Sequence, residues 1–261
     1  MASPESKGAK DESYLAQPPG DCCKKGSLHT GEPTGSFETI AGFNTYISKP
    51  TEGKSNGHVL FYFADVWGMF NNAFLVMDGF ADAGYLVLGI DYFHGDSVSK
   101  HKDPDFDFME WVYKYVAIAD EGVPRWTAAV KEAYGTPNTK YACTGYCFGG
   151  PYVCKEIAPG GNCSVGAFAH PGLLKESHFE NLTKPLLMAL PAIDPLFPAE
   201  ARRKGIEIME KDDKKYHLQE YQGVQHGFGL RCDLEKPYER WAKEHCHKTM
   251  IDWFDFWLSQ S

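Results

Sequence analysis

The sequence predicts an α/β domain built on a mostly parallel central sheet with helices on both faces. Three observations carry that reading. Short apolar runs of strand character alternate with stretches of helical periodicity from about residue 58 onward. One such run, residues 140–144, leads into a sharp glycine turn, Gly145-Tyr-Cys-Phe-Gly-Gly150. Two later runs end in loops carrying chemically capable side chains, Asp194 after residues 184–190 and His226 after residues 215–221. Strands joined by crossover helices are buried on both faces, so they read as apolar throughout rather than alternating.

The elements follow in order. Residues 1–20 are polar, contain Pro18-Pro-Gly20, and read as a flexible tail ahead of a single domain spanning 21–261. Residues 36–47 suggest two short strands turning at Gly42, and 58–63 a buried strand. A loop at 64–69 precedes an amphipathic helix to about residue 83, and 85–90 is the next strand. A long irregular stretch, 91–107, leads to two aromatic-rich helices, about 108–119 and 123–134. Strands near 140–144, 164–168, 185–190 and 215–221 then alternate with helices, including one at 198–211. The last helix, 237–258, carries apolar residues at helical spacing from Met250 to Leu258 and should cover the sheet. Trp111, Tyr113, Tyr115 and Trp126 read as core aromatics.

Composition bounds the class. A chain of 261 residues with 43% hydrophobic content can bury a substantial core. A net charge of −9 gives no support for a nucleic-acid surface. No apolar run approaches the roughly 20 residues that span a bilayer, and the polar N-terminus has no signal-peptide core. The expectation is a soluble, cytoplasmic protein with no membrane partner. Without an export signal, the eight cysteines are expected as thiols, with Cys143, Cys154 and Cys163 packing beside the turn. Cys22-Cys23 with His29, and Cys232 and Cys246 with His245 and His247, invite a metal reading. No second ligand cluster has zinc spacing, so no metal is expected.

The glycine turn carries the chemistry. Gly145 and Gly149 permit close backbone approach between a strand and the following helix, lifting the residue between them to the sheet's edge. That residue is Cys147, at a helix N-terminus that favours a thiolate, which points to nucleophilic catalysis. An α/β-hydrolase places its acid and then its histidine after the nucleophile, each in a loop following a later strand. Cys147, Asp194 and His226 stand in that order. In this turn the residue after the nucleophile, Phe148, supplies one oxyanion-hole N–H.

The Gly-Tyr-Cys-Phe-Gly-Gly turn, the acid loop Asp194-Pro-Leu-Phe-Pro198 and His226-Gly-Phe228 together resemble the dienelactone hydrolase family, over about residues 34–258. The stretch from Asp21-Cys-Cys23 to Gly31-Glu-Pro-Thr-Gly35 is similar to the N-terminal segment of fungal members. The resemblance implies an α/β-hydrolase fold that opens small lactones or esters with a Cys–His–Asp triad and no cofactor. It implies Val66 as the second oxyanion donor, from the loop Ala64-Asp65-Val66-Trp67-Gly68. It implies a thiol-controlling acid at Asp65, for which the alternative is a turn or capping hydrogen bond. Arg231 resembles a substrate-carboxylate arginine, the alternative being a solvated surface arginine. His94 stands in the loop where the family has a second arginine, and Trp67 adjoins the oxyanion site as a pocket wall. His170 reads as a structural histidine with the pocket as alternative.

The expected partner is a small lactone or ester, with monomer and homodimer both open. Two other readings stand beside the lactonase: a thiol hydrolase of thioesters, aryl esters or polyketide-derived lactones, and a non-catalytic small-molecule-binding member of the fold.

Overall fold

The computed structural model describes residues 14–260. Its first strands, β1 (Ser36–Ile40) and β2 (Phe43–Ser48), form an antiparallel hairpin. Ala41 and Gly42 both adopt positive φ, the turn geometry whose twist matches that of paired strands. The other strands are β3 (Val59–Phe63), β4 (Leu86–Ile90), β5 (Tyr141–Tyr146), β6 (Val165–Ala169), β7 (Leu186–Pro191) and β8 (Tyr216–Tyr221). They join in the order β1-β2-β4-β3-β5-β6-β7-β8. Only the β1–β2 and β2–β4 pairs are antiparallel; every pair from β4–β3 to β7–β8 is parallel.

The helices are α1 (Asn71–Asp82), α2 (Phe108–Tyr134), α3 (Gly150–Glu156), α4 (Glu176–Glu180), α5 (Ala199–Lys211), α6 (Phe228–Arg231) and α7 (Pro237–Ser259). Alternation along β5 shows that they cover both faces. Cys143 turns its sulfur to the Val153 carbonyl of α3, whereas Thr144 and Tyr146 meet Met250 of α7. Such two-sided cover explains why β3, β5 and β6 are buried at every position.

Two expectations are corrected. The two helices proposed at 108–119 and 123–134 are one helix, α2, with Pro124 inside it. Proline there removes one backbone hydrogen bond. The buried stripe Trp111, Val112, Tyr115, Ala119, Val123, Trp126 and Val130 runs across it without a break, so packing holds both halves in one element. The expected tail at 1–20 is not loose where it is described. Residues 14–20 lie on the domain, with Leu15 N–H donating to the Leu174 carbonyl at 2.7 Å and Gln17 N–H to that of Leu196 at 2.7 Å. Leu15 and Ala16 are buried there. Residues 1–13 lie outside the described residues.

Candidate active site

The site lies at the carboxyl ends of β3, β5, β7 and β8, where parallel strands release their loops. At the end of β5, Cys147 opens a short turn and holds φ at +49°, an uncommon conformation for a residue with a side chain. Glycine makes the turn fit. A Cβ on Gly149 would fall 2.3 Å from the Phe63 carbonyl oxygen of β3, and one on Gly145 would fall 2.6 Å from the Gly149 oxygen. Both contacts are with backbone, which cannot swing aside.

β7 ends at Pro191 and its loop carries Asp194; β8 ends at Tyr221 and its loop carries His226. Asp194 accepts the Leu196 N–H at 2.9 Å, which orients the carboxylate. His226 Nδ1 meets Asp194 Oδ2 at 2.9 Å and Oδ1 at 3.2 Å, with both side chains buried. Burial opposes a charge on His226, and the neighbouring Cys23 sulfur together with the Asp194 carboxylate outweighs it, holding the imidazole's pKa above its ordinary value. His226 Nε2 has no hydrogen-bond partner among the described residues. A ring nitrogen of His226 and the sulfurs of Cys147 and Cys23 all lie within 4.8 Å of one another. The structure therefore brings Cys147, Asp194 and His226 together from three distant parts of the chain.

The two residues expected at the oxyanion hole are brought near by register. Phe63 of β3 lies opposite Gly145 of β5, so the loop carrying Val66 and the turn carrying Phe148 leave the sheet side by side. Val66 is buried, and its carbonyl accepts the Val98 N–H at 3.0 Å. Tyr92 donates its hydroxyl to the Ala64 carbonyl, bracing the same loop.

Asp65 and Arg231 meet each other. Asp65 receives the Trp67 N–H at 2.9 Å, the turn-type hydrogen bond that was the alternative expectation, and its other oxygen pairs with the Arg231 guanidinium. Arg231 also donates from Nε to the Lys25 carbonyl at 3.1 Å and sits 5.5 Å from the Trp67 ring centroid. It is buried and paired with an internal acid, so it is not a solvated surface arginine, and it also lines the cleft beside His226. His94 is exposed and stacks on Phe43 of β2 at 5.2 Å; the structure does not gather it with the thiol. Trp67 donates from its indole to the Cys23 carbonyl at 2.8 Å. His170, which ends β6, packs its ring edge-on to that of His226 at 4.9 Å, and burial holds its pKa well below the ordinary value. Trp111, Tyr115 and Trp126 are buried, while Tyr113 is exposed.

Cys23 is the residue that sequence reasoning did not assign to the site. A 3-10 turn at Asp21–Lys24 places its sulfur 3.5 Å from that of Cys147, and neither residue has exposed surface. The segment is held over the site by the Trp67–Cys23 and Arg231–Lys25 bonds and by Asn72, which donates to the Ser27 and Leu230 carbonyls at 2.9 Å each. The metal pairings considered for these cysteines do not form. His29 Nε2 meets the Cys232 carbonyl at 2.9 Å, His245 meets the Tyr221 hydroxyl at 3.0 Å, and His247 packs on Phe80 at 4.1 Å. Among the described residues, the group able to hold a soft ion is Cys23, Cys147 and His226. A cleft of about 290 Å³ opens beside it, lined by Cys22, Lys25, His226, Phe228, Arg231 and Lys236 among others.

The dienelactone hydrolase family profile matches residues 43–258. Dienlactone hydrolase 1 of Gibberella moniliformis is 42% identical over 256 residues, 96% of this chain and 98% of that protein. Hydrolase pyvD of Aspergillus violaceofuscus is 33% identical over 249 residues, 93% of this chain and 98% of that one. Among solved structures, a putative dienelactone hydrolase from Klebsiella pneumoniae superposes with a TM-score of 0.68 at 14% identity, covering 88% of this chain and 100% of that one. A dienelactone hydrolase-like promiscuous phosphotriesterase from metagenomic libraries gives 0.69 at 18% identity, covering 87% and 99%. At these identities the structural likeness speaks for the fold.

Proposed function

The chain belongs to the dienelactone hydrolase family, and from that premise we propose that it opens a small lactone through a thioester on Cys147. One observation carries the proposal. A histidine oriented by a buried carboxylate has its other nitrogen unpartnered, and a ring nitrogen of that histidine lies within 4.8 Å of a sulfur on a strained strand-to-helix turn.

In this mechanism His226 takes the Cys147 thiol proton, while Asp194 fixes the tautomer and steadies the imidazolium. The sulfur attacks the lactone carbonyl, and the N–H groups of Phe148 and Val66 hold the oxyanion. Collapse breaks the ring C–O bond and leaves a thioester whose leaving oxygen remains part of the same molecule. Water deprotonated by His226 then releases the open acid and restores the thiol. A thiolate suits lactones with good enolate or alkoxide leaving groups better than amides, whose nitrogen needs strong acid help.

The pocket places Arg231 against an internal acid as well as at the cleft. Arg231 pairs through one terminal nitrogen with Asp65, which braces the oxyanion loop against the histidine loop, while the guanidinium also lines the cleft. Because Cys23 and Cys147 are both without exposed surface, substrate reaches the sulfur when the segment around Cys23 shifts. The cleft beside Cys22 and His226 is the entry route in this reading. Its size suits a small ring.

The test is a panel of lactones, thioesters and aryl esters, with trapping of the acyl-enzyme by mass spectrometry. Lactone turnover with the acyl group on Cys147 is the expected result. Turnover that survives Cys147→Ala, or native protein inert to the whole panel, would end the proposal.

A further inference from the structure

We propose that Cys23 is the partner thiol of a reversible disulfide with Cys147, formed under peroxide, which clamps the N-terminal segment over the site and switches the enzyme off. The two sulfurs lie 3.5 Å apart although Cys23 and Cys147 belong to distant parts of the chain. A disulfide requires an S–S distance of about 2.05 Å, an approach of roughly 1.5 Å that small side-chain rotations and a slight shift of the turn can supply. The Cys23 turn is only four residues long, and Gly20 and Gly26 flank it, so the segment can yield by that amount.

The surroundings favour this pair over the other thiols. Cys143 sits in β5 and Cys154 in α3, with Cys143 turned to the Val153 and Val165 carbonyls. Cys22 is in contact with Cys23 at 3.9 Å, so three sulfurs stand in a row that ends on Cys147. The segment is already anchored where the bond would form, through the indole of Trp67 and the side chains of Arg231 and Asn72. Little ordering is therefore left to oppose closure.

The chemistry balances with hydrogen peroxide as oxidant. The Cys147 sulfur attacks one peroxide oxygen, the O–O bond breaks, and the departing hydroxide leaves as water with the thiol proton. Cys147 is then a sulfenic acid. The Cys23 sulfur attacks the Cys147 sulfur, the S–O bond breaks, and the hydroxide leaves as a second water with the Cys23 proton. Two thiols lose two electrons and two protons, and the peroxide is reduced. A dithiol reverses the bond by exchange. Capture by Cys23 also keeps Cys147 from the irreversible sulfinic state.

The experiment uses the full chain, reduced, freed of metal with a chelator, treated with stoichiometric peroxide, alkylated, and digested with trypsin without reduction. The expected result is a link between the peptides 11–24 and 141–155 that joins Cys23 to Cys147. Intact mass should fall by two hydrogen atoms, and a dithiol should reverse the change. Cys22→Ser should keep the link. Cys23→Ser should lose it and accumulate sulfinic acid on Cys147, with circular dichroism confirming that the variant is folded. Native protein in which Cys147 over-oxidises while Cys23 stays alkylatable would overturn the proposal. So would Cys22–Cys23 or Cys143–Cys163 as the linked pair in place of Cys23–Cys147. Because the link is read by mass, it stands or falls separately from the lactone reading.

Discussion

The carboxylate of Asp65 and the guanidinium of Arg231 form an ion pair in the interior, with side-chain exposures of 0% and 1%. Asp65 comes from the loop after β3 and Arg231 from the end of α6, so the contact ties the loop after β3 to the segment that follows His226. Burial draws the arginine's pKa down to about 10, still far above neutrality, so the guanidinium is charged at pH 7. Removing one member leaves a buried charge without its partner, which typically costs 3–5 kcal/mol, roughly. Asp65→Asn and Arg231→Met should each destabilise by about that amount in urea unfolding. The double variant should recover part of the loss. A double variant no better than the sum of the singles would show that the pair is not coupled.

Removing the nucleophile should abolish hydrolysis. Cys147→Ala is expected to lower kcat by a factor on the order of 10⁴ or more, while Cys154→Ala stays near the native rate. Burst kinetics with an aryl ester will check both.

The pH profile should report the Asp194–His226 pair. A general base works when deprotonated, so a raised pKa moves the onset of activity to higher pH. The acid limb of kcat/KM should lie above the ordinary histidine value of about 6.5. Asp194→Asn removes one of the groups that raise it, beside Cys23, so the limb should move to lower pH while the plateau drops by roughly 10⁴. A limb that stays in place would detach Asp194 from His226.

Acid stability should be limited by histidines held neutral in the interior. Burial lowers the pKa of His178 and of His247 to about 4 each. Their unfolded-state pKa is near 6.5, so the unfolded chain takes up protons first as pH falls. Each contribution is whole above that value and is lost as pH drops from 6.5 toward 4, by about 3 kcal/mol at most. His247→Gln should flatten the fall in Tm between pH 7 and pH 4.5.

Gly149→Ala should fail by sterics rather than chemistry. The added Cβ falls 2.3 Å from the Phe63 oxygen, so the turn must move off β3. Loss of activity with a lowered Tm is expected. A stable, active variant would mean that the turn can open.

Much of the fold was legible because apolar runs and turn glycines are local signals. β5, the turn after it and the loops bearing Asp194 and His226 were readable from strand character, glycine spacing and chain order. The same local reasoning divided α2 into two helices, since it does not see the packed stripe that runs unbroken along it. It also assigned residues 14–20 to a loose tail along with the polar stretch before them, because backbone hydrogen bonds to Leu174 and Leu196 leave no local pattern.

By itself, the sequence determined the chain order of Cys147, Asp194 and His226 and the turn that raises Cys147, because spacing and residue type are enough to specify them. Tertiary structure alone decided what stands beside those groups. It turned Arg231 inward onto Asp65, left His94 on Phe43, and laid the sulfur of Cys23 against that of Cys147. Contacts between segments far apart along a chain depend on how whole elements pack, and no local pattern of residues records that packing.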